Sequence, residues 1–297
     1  MSEKSGGLFY RGIVYLDRLL RHRGVLGQHR WLRDLLRKPY HKLINLHGQG
    51  IPINIGGVIP VRLPPEFSSI CTESYEVEAM TAVNDWLQSA GDASIVIDVG
   101  CSIGYVTCAC LFANTGTQVV AIDSDLHSLQ SMLRVCRYAP EADKTSRLLP
   151  LWGLISSRET PELDLTVESA NTRKALRDSG VSGDPYTLNY ITLKRHADSA
   201  IPQYSLSSIS DSLPGEDHRI LVKIDVEGAE MEVLLGAARL LKRANVEWSV
   251  SVHPQYLPDY NRTAEELHEY MEQFGYVGEK IAEDHEEHWW FRPRTAV

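Results

Sequence analysis

The chain has 297 residues, 43% of them hydrophobic, and a formal net charge of −9. That length fits one large α/β domain with an extension, or two small domains, and no apolar run approaches the ~18 residues of a membrane span. The opening MSEKSGG shows no basic segment followed by an apolar one, so a soluble, cytoplasmic protein is expected. The five cysteines, Cys71, Cys101, Cys108, Cys110 and Cys136, have neither CxxC spacing nor a nearby pair of histidines, and read as reduced, small apolar residues.

Charge is unevenly spread. Residues 1–48 carry a net +7, which leaves −16 for the remainder. Within this basic segment Phe9 to Arg23 and Gln28 to Lys38 have the spacing of two short amphipathic helices, broken by Gly24 and Gly27 and stopped by Pro39. Such a segment lies peripherally on an anionic membrane or carries a partner, or else its arginines are solvated or pair with the acidic body. Residues 1–65 are therefore expected to form a basic helical extension that ends in a hairpin over Ile51 to Leu63, turning at Gly56 and Gly57. No nucleic-acid partner is expected. A helix over Thr72 to Ser89 follows, with Thr72 as its cap and Val77, Met80, Val83 and Leu87 as one apolar stripe.

The most informative stretch is IVIDVGCSIGYV, Ile95 to Val106. A continuous apolar run into Asp98, then Gly100 and Gly104, then a small apolar helix, reads as a buried parallel strand, a tight turn and a helix start. Doubly wound folds hold their ligands at such a turn. A dinucleotide site wants GxGxxG; here Ser102 and Tyr105 stand where its second and third glycines would be. A diphosphate beside Asp98 would also be repelled. S-adenosylmethionine, which has no phosphate and carries two cationic centres, suits the turn better. The pattern DxGxxxG over residues 98–104 resembles that of class I methyltransferases.

A second strand, Gln118 to Ile122, ends at Asp123, which lies 19 positions after Gly104, the interval at which such units place a carboxylate on the ribose hydroxyls. Asp98, Gly100, Ser102, Gly104 and Asp123 are thus the candidate cofactor residues. Asp125 is expected to cap the following helix. After a third strand over Arg147 to Ile155, residues 156–210 form a long irregular insertion, with strand-like pieces at 163–167 and 186–193 that read as a small β-flap over the acceptor site.

The next signature is ILVKIDVEGAEMEVLLGAAR, starting at Ile220: an apolar strand, then Asp225, Glu227 and Glu230 around Gly228 as a helix begins. This resembles the FkbM-type methyltransferases, whose signature is close to KxDxEGxExxxLxGA, matched here by Lys223, Asp225, Glu227, Gly228, Glu230, Leu234, Gly236 and Ala237. The resemblance covers roughly residues 70–295. It departs where the family often has Asn (here Ser102), a Glu-Pro pair (Asp123-Ser124) and a Leu-Asp pair (Leu206-Ser207). The first two changes keep the chemistry; the third removes an aspartate. A fifth strand, Glu247 to Val252, ends at His253; Thr263 and Glu266 have capping-box spacing; two closing strands flank the acidic turn EDHEE. His285 and His288 in that turn read as exposed, and Trp289, Trp290 and Phe291 as packing residues.

The resemblance implies a Rossmann-like class I methyltransferase, with a seven-stranded, mostly parallel sheet and helices on both faces over residues 66–297, that uses S-adenosylmethionine to methylate a hydroxyl of a sugar, glycan or secondary metabolite. Two alternatives remain at this stage: a catalytically silent S-adenosylmethionine-binding partner protein, and a nucleotide-dependent oxidoreductase. Strand ends at 225 and 253 put Asp225 and His253 at one edge of the sheet as candidate catalytic residues, with His253, neutral near its ordinary pKa of ~6.5, as the base. Glu227 and Glu230 read as structural, or with Asp225 as a divalent-cation site, for which no complete ligand set is visible, so no metal ligands are assigned.

Overall fold

The computed structural model describes Pro39, Lys42 and residues 50–67, 74–91, 94–114, 116–140, 147–160, 162–183, 201–213 and 218–294. The two helices expected in the basic extension, the cap at Thr72 and the strand-like piece at 186–193 lie outside the described residues.

The hairpin forms as expected, β1 (Ile51–Ile55) paired antiparallel to β2 (Ile59–Leu63). Helix α1 (Val77–Ala90) leads to β3 (Ser94–Val99), and α2 (Tyr105–Ala113) to β4 (Gln118–Asp123). Then come α3 (Leu126–Val135), capped by the Asp125 carboxylate, and β5 (Leu148–Trp152). The later elements are β8 (Arg219–Ile224), β9 (Val246–Val252), α7 (Ala264–Gln273), β10 (Tyr276–Glu283) and β11 (Glu287–Pro293), reached through the segment described next. Seven strands form one sheet in the order β10-β11-β9-β8-β3-β4-β5. Six point the same way, and β11 alone is reversed, antiparallel to both its neighbours.

Among the described residues of 156–210, the piece at 163–167 is not the strand that its pattern predicts. A two-residue strand, β6 (Leu154–Ile155), pairs parallel with β7 (Gln203–Tyr204), and between them stands helix α4 (Leu165–Ser179). The stretch at 163–167 is the start of that helix, because Asp164 accepts the Thr166 and Val167 N–H groups and so satisfies donors that a helix start leaves free. Leu165, Ser169, Thr172 and Leu176 then turn to the protein interior at helical spacing. Helix α5 (Leu206–Asp211) follows, and Ser207, where the family often has Asp, accepts the Arg239 N–H at 3.1 Å. Helix α6 (Glu230–Leu235) follows β8.

All six residues of β3 are buried, since helices cover both faces of the sheet and its alternate side chains feed two cores. Ile95, Ile97 and Val99 pack with α5, α6 and α7; Val96 packs with α1, α2, α3 and the hairpin. Asp98, two residues from Val96, therefore points to the second face beneath α2.

The turn after β3 is held by close backbone approach. Gly100 has φ +77°, and a Cβ there would lie 1.8 Å from the Asp225 carbonyl oxygen. The Gly100 and Cys101 N–H groups donate to Ile122, and the Asp225 N–H donates to Val99, so three strand ends are knitted at this point. Gly100→Ala is expected to lower stability by upwards of about 2 kcal/mol in urea unfolding, from strain and overpacking together. Gly91→Ala, at a φ of +72° but with nothing among the described residues within 4 Å of the new Cβ, isolates the strain and should cost about 1 kcal/mol.

Candidate active site

The carboxyl ends of β3, β4 and β8 open onto a cleft of about 290 Å³. On one side it is lined by Gly100, Ser102 and Asp123, with Ile122, Leu154 and Ile155 as an apolar wall. Asp123 Oδ2 accepts the Ser102 N–H at 2.8 Å and Oδ1 accepts the Asp125 N–H at 2.9 Å. Each oxygen keeps a lone pair for a further donor, which is what a pair of vicinal hydroxyls requires. Burial pushes this carboxyl up to about 6. Ser102 sits at φ +49°, a backbone region that Asn tolerates better than Ser, which gives a physical reason for the Asn the family often has there.

Two predicted cofactor residues support this wall from behind. Asp98 is 0% exposed and does not line the cleft. Its Oδ2 accepts the Thr107 hydroxyl at 2.6 Å, and its Oδ1 lies 4.0 Å from Lys223 Nζ. The direct attraction of a cationic ligand expected for Asp98 is therefore corrected: the sheet's period of two turns this side chain under the glycine turn. Gly104 likewise packs on Met132 rather than lining the cleft.

The other side of the cleft is lined by Glu76, Asp225, Glu227 and Glu286. Asp225 Oδ2 accepts from Lys223 Nζ at 2.8 Å. Burial works to raise the Asp225 carboxyl, but the Lys223 ammonium outweighs it and holds the group below its ordinary range. Burial equally disfavours the ammonium, and Asp225 and Asp98 overcome that, so Lys223 stays charged. Glu227, at a φ of +53° on the turn after β8, is pushed up by burial and is partly exposed to the cleft.

His253 is 1% exposed and has both ring nitrogens engaged. Nδ1 is 2.7 Å from Glu230 Oε1, which also accepts the Gly228 N–H at 2.9 Å, and Nε2 is 2.5 Å from Glu286 Oε2. Asp225 and Glu227 stand 3.8 Å and 3.7 Å from the same Nε2. Burial opposes charge on the ring, but the hydrogen bonds to Glu230 and Glu286 prevail and lift it to about 11. The neutral imidazole expected of a base is therefore corrected to an imidazolium clamped between two buried carboxylates. Asp225 and His253 do meet at one edge of the sheet, as their strand ends predict.

Glu76, Glu286 and His288 escape sequence reasoning. Glu286 comes from the EDHEE turn. Because β11 runs antiparallel to β9, with His288 opposite Ser251, that turn folds back over the carboxyl edge beside His253. His285 is exposed as expected, whereas His288 is 3% exposed, correcting the solvent-facing position predicted for it. The signal was present in the predicted antiparallel ending, since a reversed last strand must start where the parallel strands end.

A doubly wound sheet closed by one reversed strand, with an acid-tipped glycine turn at its carboxyl edge, is the fold of Rossmann-like class I methyltransferases. The family model for the methyltransferase FkbM domain matches residues 98–277, more than half of the chain, and the chain belongs to that family. Among solved structures it is similar to methyltransferase FkbM from Methylobacillus flagellatus (TM-score 0.44, 17% identity, covering 68% of this chain and 44% of that one). It is also similar to a TehB-like SAM-dependent methyltransferase from Corynebacterium glutamicum (TM-score 0.39, 10% identity, 76% and 93% covered). A third similar structure is M. capricolum TrmK in complex with S-adenosyl-homocysteine (TM-score 0.34, 11% identity, 71% and 66% covered). The chain thus spans less than half the length of the FkbM structure it matches. No curated protein matches it. Among the described residues no helix is long and apolar enough to cross a membrane.

Two outcomes are expected. Affinity for S-adenosyl-homocysteine, measured by calorimetry, should be level above about pH 7 and fall as the pH drops through about 6, where Asp123 takes up a proton and loses acceptor capacity; Asp123→Asn should abolish that dependence and cost roughly 1.5 to 3 kcal/mol of binding. Lys223→Met leaves Asp98 and Asp225 without their cation, and should lower unfolding stability by about 3 to 5 kcal/mol.

Proposed function

We propose that the chain is an S-adenosylmethionine-dependent O-methyltransferase whose acceptor is a hydroxyl of a sugar, glycan or secondary metabolite. The observation that carries this reading is that one cleft joins the Gly100–Asp123 wall to the Asp225–Glu227 carboxylates. The FkbM-type motif favours hydroxyl acceptors of this kind. The cofactor fits the residues present: Asp123 has free acceptor capacity for the ribose diol, Ile122, Leu154 and Ile155 form an apolar wall for the adenine, and the acidic lining suits a cationic centre.

When bound, the cofactor supplies a methyl group on a sulfonium and departs as a neutral thioether, so no acid is required of the protein. The protein's tasks are to hold the acceptor oxygen in line and to receive its proton. Asp225, kept charged by Lys223, accepts a hydrogen bond from the acceptor and orients it. Glu227, the cleft carboxylate raised by burial, takes the proton that the hydroxyl gives up as its oxygen gains the methyl group. His253 positions: its two ion pairs hold Glu230 and Glu286 in place.

Incubation with labelled S-adenosylmethionine and fractionated glycan and metabolite extracts, followed by mass spectrometry, tests the reading. A product methylated on oxygen supports it; a product methylated on nitrogen or carbon, or no transfer at all, overturns it. Glu227→Gln should lower turnover by roughly 10² to 10⁴ with cofactor affinity unchanged. Asp225→Asn should mainly raise the acceptor KM. Wild-type turnover in Glu227→Gln would remove that residue from the mechanism.

A further inference from the structure

The hairpin turn that closes the cleft brings a second kind of chemistry to its edge. Glu286 is buried and turns its two oxygens in different directions: Oε2 to His253 Nε2 at 2.5 Å, and Oε1 toward His288 Nε2 at 3.5 Å. His288 is also buried, and its Nδ1 is tied to the Ser251 hydroxyl at 3.2 Å. Among the described residues its Nε2 has no hydrogen-bond partner. A buried imidazole with one nitrogen fixed and the other aimed at carboxylates has the arrangement of a metal ligand with its orienting partner. Glu76, which enters α1 without capping it through its side chain, completes a set: one ligand atom each from Glu76, Glu286 and His288, all within 4.8 Å of one another.

We propose that Glu76, Glu286 and His288 form a binding site for one divalent first-row metal ion at the mouth of the methyl-transfer cleft. Two neighbouring groupings that also contain Glu286 are weaker. In Asp225–His253–Glu286 both nitrogens of His253 are already within 2.7 Å of a carboxylate oxygen. In Asp284–His285–Glu286 the first two residues are exposed and bonded to each other at 2.8 Å. Of the histidines in these three groupings, only His288 has a buried ring nitrogen without a hydrogen bond, the facing carboxylate oxygens of Glu286 and Asp284 lying 3.5 Å and 3.8 Å from it. Charge favours the same conclusion, since Glu76, Asp123, Asp225, Glu227 and Glu286 line one cleft and a dication offsets their mutual repulsion. One imidazole with two carboxylates suits Mn²⁺, Co²⁺ or Zn²⁺ better than the all-oxygen shells of Mg²⁺ or Ca²⁺. Three protein ligands leave positions open toward the cleft, where Glu76 and Glu286 are lining residues, so an acceptor oxygen can complete the shell and lose its proton more readily. That role rests on the methyltransferase reading; the binding itself does not.

The test is direct. Chelator-treated protein is titrated with Mn²⁺, followed by electron paramagnetic resonance, and with Zn²⁺, followed by calorimetry. At least one of the two ions should bind at one per chain, and His288→Ala and Glu76→Gln should each raise its Kd by at least ten-fold, with unchanged circular dichroism. If His288→Ala does not fold, the less buried Glu76→Gln supplies the same readout. Failure of both ions to bind near one per chain, or wild-type affinity in the folded variants, overturns the site. A chain that binds the ion but methylates nothing keeps this inference and loses the proposed function; the converse result loses the ion and keeps the function.

Discussion

The Lys223 ammonium, buried between Asp98 and Asp225, is the interaction on which the rest of the site depends. Lys223 and Asp98 are partners in the parallel register of β8 and β3, so two opposite charges are placed side by side in the interior by strand pairing alone. Neither would be tolerated without the other, because a lone buried charge costs far more than a pair. The pair does more than balance itself. Asp98 takes the Thr107 hydroxyl and so ties α2 to the sheet, while Lys223 reaches forward to Asp225 and keeps that carboxylate charged at the mouth of the cleft. One cation thereby joins the support of the glycine turn to the residue that faces the acceptor.

A second buried ion pair does similar work at the far edge. His253, clamped between Glu230 and Glu286, links the start of α6, the end of β9 and the turn between β10 and β11. The acidic side of the cleft is therefore built from segments far apart in the chain, held by charge-assisted bonds that exclude water. This leaves the protein with more carboxylates than cations around one cavity. An imbalance of that sort marks a functional site more often than a structural one, since folding alone gains nothing from it.

Much of this was legible beforehand. The pattern from Ile95 to Val106, the carboxylate at 123 and the motif from Lys223 to Ala237 are local, and local patterns report strand, turn and helix because side-chain period and glycine φ are properties of neighbouring residues. The same locality explains the failures. At 163–167 a short apolar alternation suited a strand as well as a helix, and the Asp164 cap decided for the helix. Asp98 and Asp123 look alike in sequence, each an acid ending or nearly ending an apolar strand. One faces α2 and the other the cleft, because one lies inside the strand's alternation and the other at its end.

By itself the sequence determined the sheet's parallel core, the reversed ending, the position of the glycine turn and the family motif. Only the tertiary structure decided which charges meet. His253 reads as an ordinary histidine until Glu230 and Glu286 close on it from either side, and His288 reads as a surface residue until the antiparallel pairing of β11 with β9 turns it inward. A pKa and a ligand geometry depend on distances between groups that the chain separates by tens of residues, and such distances are set by packing of the whole sheet rather than by any one stretch of it.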